Sequence, residues 1–142
     1  MKKMRIVNDF IEISTMGNTD IINITDEVFE LVQKSGLKRG NIVVFISGST
    51  AGVTSIEYEP GLIKDLPEIL EKIAPSTIQY HHDKTWGDGN GYAHIRAALV
   101  GASFTIPFEN GKPLLGTWQQ IVVLDFDNRP RKRKITIQMI GE

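Results

Sequence analysis

Gln119-Gln120-Ile121-Val122-Val123-Leu124-Asp125-Phe126 and Lys134-Ile135-Thr136-Ile137-Gln138-Met139-Ile140, separated by the turn residues Asp127-Asn128-Arg129-Pro130, decide the fold class. The first run is almost wholly aliphatic. The second alternates, with Ile135, Ile137 and Met139 on one face, which is the period of a half-buried strand. Just upstream, Phe104 to Phe108 leads into Glu109-Asn110-Gly111-Lys112, and Asn-Gly is the favoured pair for a type I′ hairpin. Asp9 to Thr15 also reads as a strand. Asn41 to Ser47 is aliphatic enough for a central strand buried on both faces, and Val53 to Tyr58 places Val53, Ser55 and Glu57 on one side. Three helices interrupt this pattern. Asp26 to Ser35 has Thr25 as its expected N-cap and Gly36 as its stop. Leu62 to Ile73 has amphipathic spacing, is expected to kink or restart at Pro67, and is stopped by Pro75. Tyr92 to Val100 carries small Ala93, Ala97 and Ala98 for close packing. Ile78 to His82 predicts a short strand. The sum is a single α+β domain spanning 1–142, with an antiparallel β-sheet or sandwich core flanked by about three helices.

The bulk properties agree. The chain has 142 residues, 41% hydrophobic and 23% charged, with no cysteine. A domain of this size buries roughly 68% of the surface its unfolded chain exposes, enough for one core. Lack of cysteine excludes a disulfide framework, a thiolate metal site and a cysteine nucleophile. The basic start Lys2-Lys3-Met4-Arg5 is not followed by a signal-type apolar core, and the longest aliphatic run is Ile42 to Ile46, so a cytoplasmic protein without a membrane span is expected. Five of the 16 basic residues fall in Arg129-Pro130-Arg131-Lys132-Arg133-Lys134. That run reads as a turn entering an edge strand, where lysine discourages sheet-to-sheet pairing. Without interleaved aromatics or a recognisable motif, it argues against nucleic acid as a partner.

The chemistry concentrates elsewhere. His81, His82 and His94, the three histidines of the chain, lie within 14 residues, together with Asp83 and Asp88 and the glycine-rich Gly87-Asp88-Gly89-Asn90-Gly91. Imidazole is the commonest metal ligand and the side chain best suited to proton transfer near neutral pH. In an extended segment His81 and His82 point to opposite faces, so one of them is expected to join His94. Asp88 and the more distant Glu57 complete a His/carboxylate set for a divalent metal, Mg or Zn. Candidate substrate contacts are Ser49 and Thr50 in a small-residue turn, Asp88 and Asn90 in the glycine loop, Arg96 for a phosphate, and Thr117, Trp118 and Gln119, where an indole stands beside amides suited to a heterocycle.

Ser49-Thr50-Ala51-Gly52-Val53-Thr54, Glu57, Tyr80 to Asp83, Gly87-Asp88-Gly89-Asn90, Ala93-His94-Ile95-Arg96, Ser103-Phe104-Thr105-Ile106-Pro107, Glu109-Asn110-Gly111 and Gly116-Thr117-Trp118-Gln119-Gln120 resemble, in order, the signature blocks of the YjbQ-like family. The resemblance implies a small α+β protein assembling as a homotrimer. It implies a secondary thiamine-phosphate synthase activity that joins hydroxymethylpyrimidine pyrophosphate to a thiazole phosphate. It also implies Glu57, His82 and His94 as catalytic residues, with Asp88, Thr117, Trp118 and Gln119 beside them. Where many members carry a histidine, this chain has Gly48, and His81 is the available substitute. The expected partner is a phosphorylated small molecule. The alternative is a trimeric metal- or ligand-binding protein without turnover.

Overall fold

In this computed structural model, which describes residues 2–142, every strand pairing is antiparallel. The described elements are β1 (Arg5–Thr15), β2 (Asp20–Asn23), α1 (Thr25–Ser35), β3 (Gly40–Ile46), β4 (Ala51–Glu57), α2 (Pro60–Ile73), α3 (His81–Trp86), α4 (Gly91–Val100), β5 (Ser103–Glu109), β6 (Lys112–Pro113), β7 (Gln119–Asp125) and β8 (Arg131–Gly141). Five strands form one sheet in the order β1-β8-β3-β5-β6, and three form a second in the order β2-β7-β4. The turn after β7 therefore carries the chain from one sheet to the other instead of closing a hairpin.

Alternation along the strands explains the layering. Ile135, Ile137 and Met139 of β8 and Ile42, Val44 and Ile46 of β3 face inward and meet Ile121 and Val123 of β7 and Val53 of β4. Val28 and Val32 of α1 join the same core. Each fully buried aliphatic side chain contributes about 1.5–3 kcal/mol relative to exposure. The small sheet is covered a second time on its outer side. There Val122 and Leu124 of β7, with Phe126, pack against Leu70 of α2 and against Tyr92, Ala93 and Ala97 of α4. That double cover is why Ile121 to Leu124 is one unbroken aliphatic run. The hairpin between β5 and β6 forms as expected, with Asn110 and Gly111 both at positive φ, +52° and +71°.

Several expectations are corrected. β3 is central but buried on one face only, since Asn41 and Phe45 lie exposed on the uncovered outer face of the five-stranded sheet. Thr25 is the first helical residue instead of the cap. Its hydroxyl donates to Asn23 Oδ1 at 2.6 Å and accepts the Ile121 amide at 2.8 Å, while Asn23 Oδ1 also takes the Thr25 amide. α2 does not restart at Pro67, which lies inside one continuous helix, and it starts at Pro60 behind Glu59, whose carboxylate accepts the Gly61 and Leu62 amides. Ile78 to His82 is not a strand, because Asp83 captures the Tyr80 amide at 3.0 Å and starts α3 at His81. The basic run is an edge, as expected, but is not wholly solvated. Residues 131–134 are the stretch of β8 that extends past the end of β3 and pairs with β1 alone, and Arg133 is buried there against Asp125. No described helix is long and apolar enough to cross a membrane.

Candidate functional site

Two short helices bring the histidines together. Asp83 accepts the Tyr80 amide at 3.0 Å and the Gly91 amide at 2.9 Å, so one carboxylate pins the start of α3 to the start of α4. Those two amides hold the Asp83 carboxyl below its usual value. The pinning sets the His82 and His94 rings 4.2 Å apart between centroids, tilted by 48°. His81, the next position on α3, is exposed. One member of the pair does join His94, but by the 100° step of a helix and not by strand alternation.

The pair is polar and half-buried. His94 is held below its ordinary value, first by burial and then by the neighbouring His82, so the neutral imidazole prevails at pH 7. His82 Nε2 is buried without a hydrogen-bond partner and lies 3.7 Å from Oδ1 of half-exposed Asp88. Asn90, 5% exposed, donates from Nδ2 to Asp127 Oδ1 at 3.3 Å, and its own Oδ1 is buried without a partner. His94 also lines a shallow hollow of about 350 Å³ with Gly48, Ser49, Ala51, Ala97 and Ala98.

Glu57, Thr117 and Trp118 lie elsewhere. They line a second hollow, of about 360 Å³, with Asn23, Tyr58 and Gln120. Gln119 braces that hollow, its Nε2 donating to Ser55 Oγ at 2.9 Å and its Oε1 accepting the Gly116 amide at 3.0 Å. Ala51 at the histidine end and Glu57 here are six residues apart on β4, a separation of about 20 Å at strand rise. The expected convergence of Glu57 with His82 and His94 does not occur within one chain. The expected ligand set Glu57, His82, His94 and Asp88 is likewise not assembled, and among the described residues no group of three or more His, Asp or Glu side chains converges as a metal cluster.

Two other assignments are corrected. Arg96, 3% exposed, is a structural tie: it donates to the Ala74 carbonyl, to Thr19 Oγ1 at 3.0 Å and to Glu71 Oε2 at 2.6 Å, which leaves no free edge for a phosphate. Thr50 is buried, donating to Asp127 Oδ2 at 3.2 Å and accepting from Arg133 at 2.7 Å, so of the two hydroxyl residues Ser49 alone lines the hollow. A side chain at Gly48 would place its Cβ 2.8 Å from Arg133 Nη1, at φ +113°. Arg133, and not exposed His81, fills the space beside the position where the resembling family has a histidine.

The ionic group beneath this end of the molecule was invisible to motif reading. Arg133 binds Asp125 through Nε and Nη2 at 2.7 and 2.9 Å, and Thr15 donates to the same carboxylate at 2.5 Å. Arg131 donates to Asp127 at 2.6 Å. Burial alone would raise both aspartates, but these donors outweigh it and hold both below the usual carboxylate range. The available signal was Asp125 and Asp127 following an aliphatic run, with arginines four and eight residues beyond. Buried carboxylates require buried cations.

Comparison with known proteins places the chain. Residues 9–142 match the model of the family described as UPF0047 protein YjbQ-like. The UPF0047 protein of Archaeoglobus fulgidus is 37% identical over 128 residues, 90% of this chain and 97% of the relative. The UPF0047 protein YugU of Bacillus subtilis is 34% identical over 92% of this chain and 97% of its own length. Among solved structures, a YbjQ-like protein of unknown function from Sulfolobus solfataricus superposes with a TM-score of 0.94 at 33% identity, covering 99% of this chain and 100% of that one. An uncharacterised yjbq/upf0047 family protein from Clostridium acetobutylicum gives 0.83 at 38% identity, covering 93% and 98%. With a family model spanning nearly the whole chain and relatives matched over almost their full lengths, the chain belongs to the YjbQ-like UPF0047 family.

Proposed function

We propose that this protein is a cytoplasmic, metal-assisted transferase acting on phosphorylated heterocycles, in the manner of a secondary thiamine-phosphate synthase, and that it works as a closed homotrimer. The observation that carries the reading is the His82–His94 pair, with two partnerless buried polar atoms in the same corner and His94 opening onto a hollow. Such atoms cost stability unless a ligand or ordered water satisfies them, and sites with perturbed imidazoles are functional candidates.

In the proposed reaction the thiazole nitrogen attacks the methylene carbon of hydroxymethylpyrimidine pyrophosphate. The new C–N bond forms as the C–O bond breaks, and the electron pair departs with pyrophosphate. A divalent cation, Mg or Zn, held at His82 and Asp88, would supply charge neutralisation on the leaving oxygens. Neutral His94 donates an N–H hydrogen bond to that leaving group, and the Ser49 hydroxyl, on the same hollow, can donate a second. At the other end, Trp118 offers a stacking face and Glu57 an acceptor for a ring amino group. A separation of about 20 Å is too long for one heterocyclic phosphate to bridge, so the two ends cooperate only when the Glu57 end of one copy meets the histidine end of another. The uncovered outer face of the five-stranded sheet, with Ile6, Phe10 and Phe45 exposed, supports assembly.

The test is magnesium-dependent formation of thiamine phosphate by the purified protein, with light scattering for its mass. His94→Ala is expected to lower turnover at least about a hundredfold and His81→Ala to stay within about tenfold of wild type. A metal- or phosphate-binding trimer with no turnover overturns the enzyme reading in favour of a binding protein, and a monomer at micromolar concentration overturns the shared site.

A further inference from the structure

The geometry points to a divalent-cation site complete on one chain, formed by His82 Nε2, Asn90 Oδ1 and Asp88, in which Asp127 sets the amide and Glu57 takes no part. The inference rests on the metal-assisted reading above and deepens it by exchanging one ligand for another.

His82 Nε2 and Asn90 Oδ1 are the two buried side-chain polar atoms without a hydrogen-bond partner among the described residues. Each keeps its hydrogen-bonding capacity free of protein partners, which leaves both available to a ligand. Asn90 and His94 stand four residues apart at the start of α4 and so share a face of that helix, and the His94 ring lies against His82. The amide orientation is not arbitrary. Asp127 accepts hydrogen bonds from Arg131 at 2.6 Å and from Thr50 at 3.2 Å, and a carboxylate paired with a guanidinium only accepts. The NH₂ of Asn90 must therefore turn toward Asp127, at 3.3 Å, and Oδ1 must turn away from it. Arg131, from the basic run of β8, thus acts through Asp127 on the histidine corner.

What this corner presents is one imidazole nitrogen, one amide oxygen and one carboxylate oxygen. His82 Nε2 and Asp88 Oδ1 are 3.7 Å apart, too far for a hydrogen bond. Two ligands each about 2.1 Å from a tetrahedral ion stand about 3.4 Å apart, so a small closure brings both onto one cation. Mixed nitrogen and oxygen donors without thiolate suit a first-row divalent ion. Glu57, at the far end of β4, is exposed and carries no bond that aims it here.

The experiment titrates Co²⁺ alone into the full-length protein and reads the visible absorption of the bound ion. Wild type is expected to bind one ion per chain. Asn90→Ala is expected to weaken binding at least about tenfold, and Asp127→Asn, acting at one remove, by about 10–100-fold. Glu57→Gln is expected to leave the affinity within about twofold. Asn90 makes no side-chain cap to α4, so its alanine variant retains the helix start. Should that variant nevertheless fold poorly, Asp127→Asn binding as wild type overturns the proposal by itself. It is likewise overturned if Glu57→Gln loses the ion while Asn90→Ala keeps it, or if wild type binds no cobalt at millimolar concentration. Magnesium-dependent turnover with cobalt affinity unchanged in Asn90→Ala would defeat this site and leave the metal-assisted reading standing; an ion bound as described with no turnover would do the reverse.

Discussion

Replacing Arg133 by methionine removes the cation from a carboxylate that is fully buried. Arg133 gives Asp125 two hydrogen bonds, at 2.7 and 2.9 Å, and Thr50 a third at 2.7 Å, while Asp125 has no exposed surface. Methionine keeps much of the aliphatic stem, so the loss is electrostatic. Asp125 would retain only the Thr15 hydroxyl and the Asp127 amide. Breaking a buried pair by deleting one partner costs about 3–5 kcal/mol, a large share of the total stability of a domain this size. Urea unfolding at pH 7.5 should show that loss, with a fall in Tm of about 10 °C or more. The sign of the pH effect is also determined. In wild type the Asp125 pKa lies below its unfolded value, so its contribution is present above about pH 4 and is lost as pH falls through the folded value. Without Arg133, burial dominates and raises that pKa above the unfolded one, so acidification relieves the variant and the gap to wild type narrows. Lys132→Met, on the exposed face of the same strand, should change stability by less than about 0.5 kcal/mol. A loss below about 1 kcal/mol for Arg133→Met, or one equal to that of Lys132→Met, would refute the reasoning that buried Asp125 depends on the Arg133 cation.

Because the folded-state pKa of His94 lies below the ordinary 6.5, the unfolded chain binds the proton more readily, and stability should fall as pH drops below about 6.5 toward that lower value. Urea titrations between pH 7.5 and 5.5 test this, and His94→Gln should flatten the dependence; an unchanged slope would show that burial is not what shifts the imidazole. Arg96→Met should destabilise by about 2–4 kcal/mol, because it strips the Ala74 carbonyl and Thr19 of donors and leaves Glu71 with Ser76 but without its cation. Its affinity for inorganic phosphate should match wild type, and a selective loss of phosphate binding in a fully stable variant would restore Arg96 to the ligand.

What the sequence by itself determined was whatever depends on short-range periodicity and turn chemistry. The alternation of Ile135, Ile137 and Met139, the Asn110-Gly111 hairpin, the stop at Gly36 and the joining of one of His81 and His82 to His94 all follow from residues close together in the chain. The family resemblance was legible for the same reason, in short ordered blocks now matched over residues 9–142. Tertiary structure decided what depends on partners distant in sequence. Phe45 could not be known to face outward until the five-stranded sheet proved to lack a cover, and Arg96 looked like a phosphate ligand until Ala74 and Glu71 closed around it. Arg133 looked like a solvated charge until the packing of the two sheets brought its side chain, on the stretch of β8 paired with β1 alone, against Asp125. Glu57 and the histidines occupy one ordered set of motifs, yet an extended strand separates its ends by about 3.3 Å per residue, and only the path of β4 shows that the two lie apart. Local sequence sets the conformation of each segment, while the position of a charge relative to a partner dozens of residues away is set by how the sheets pack.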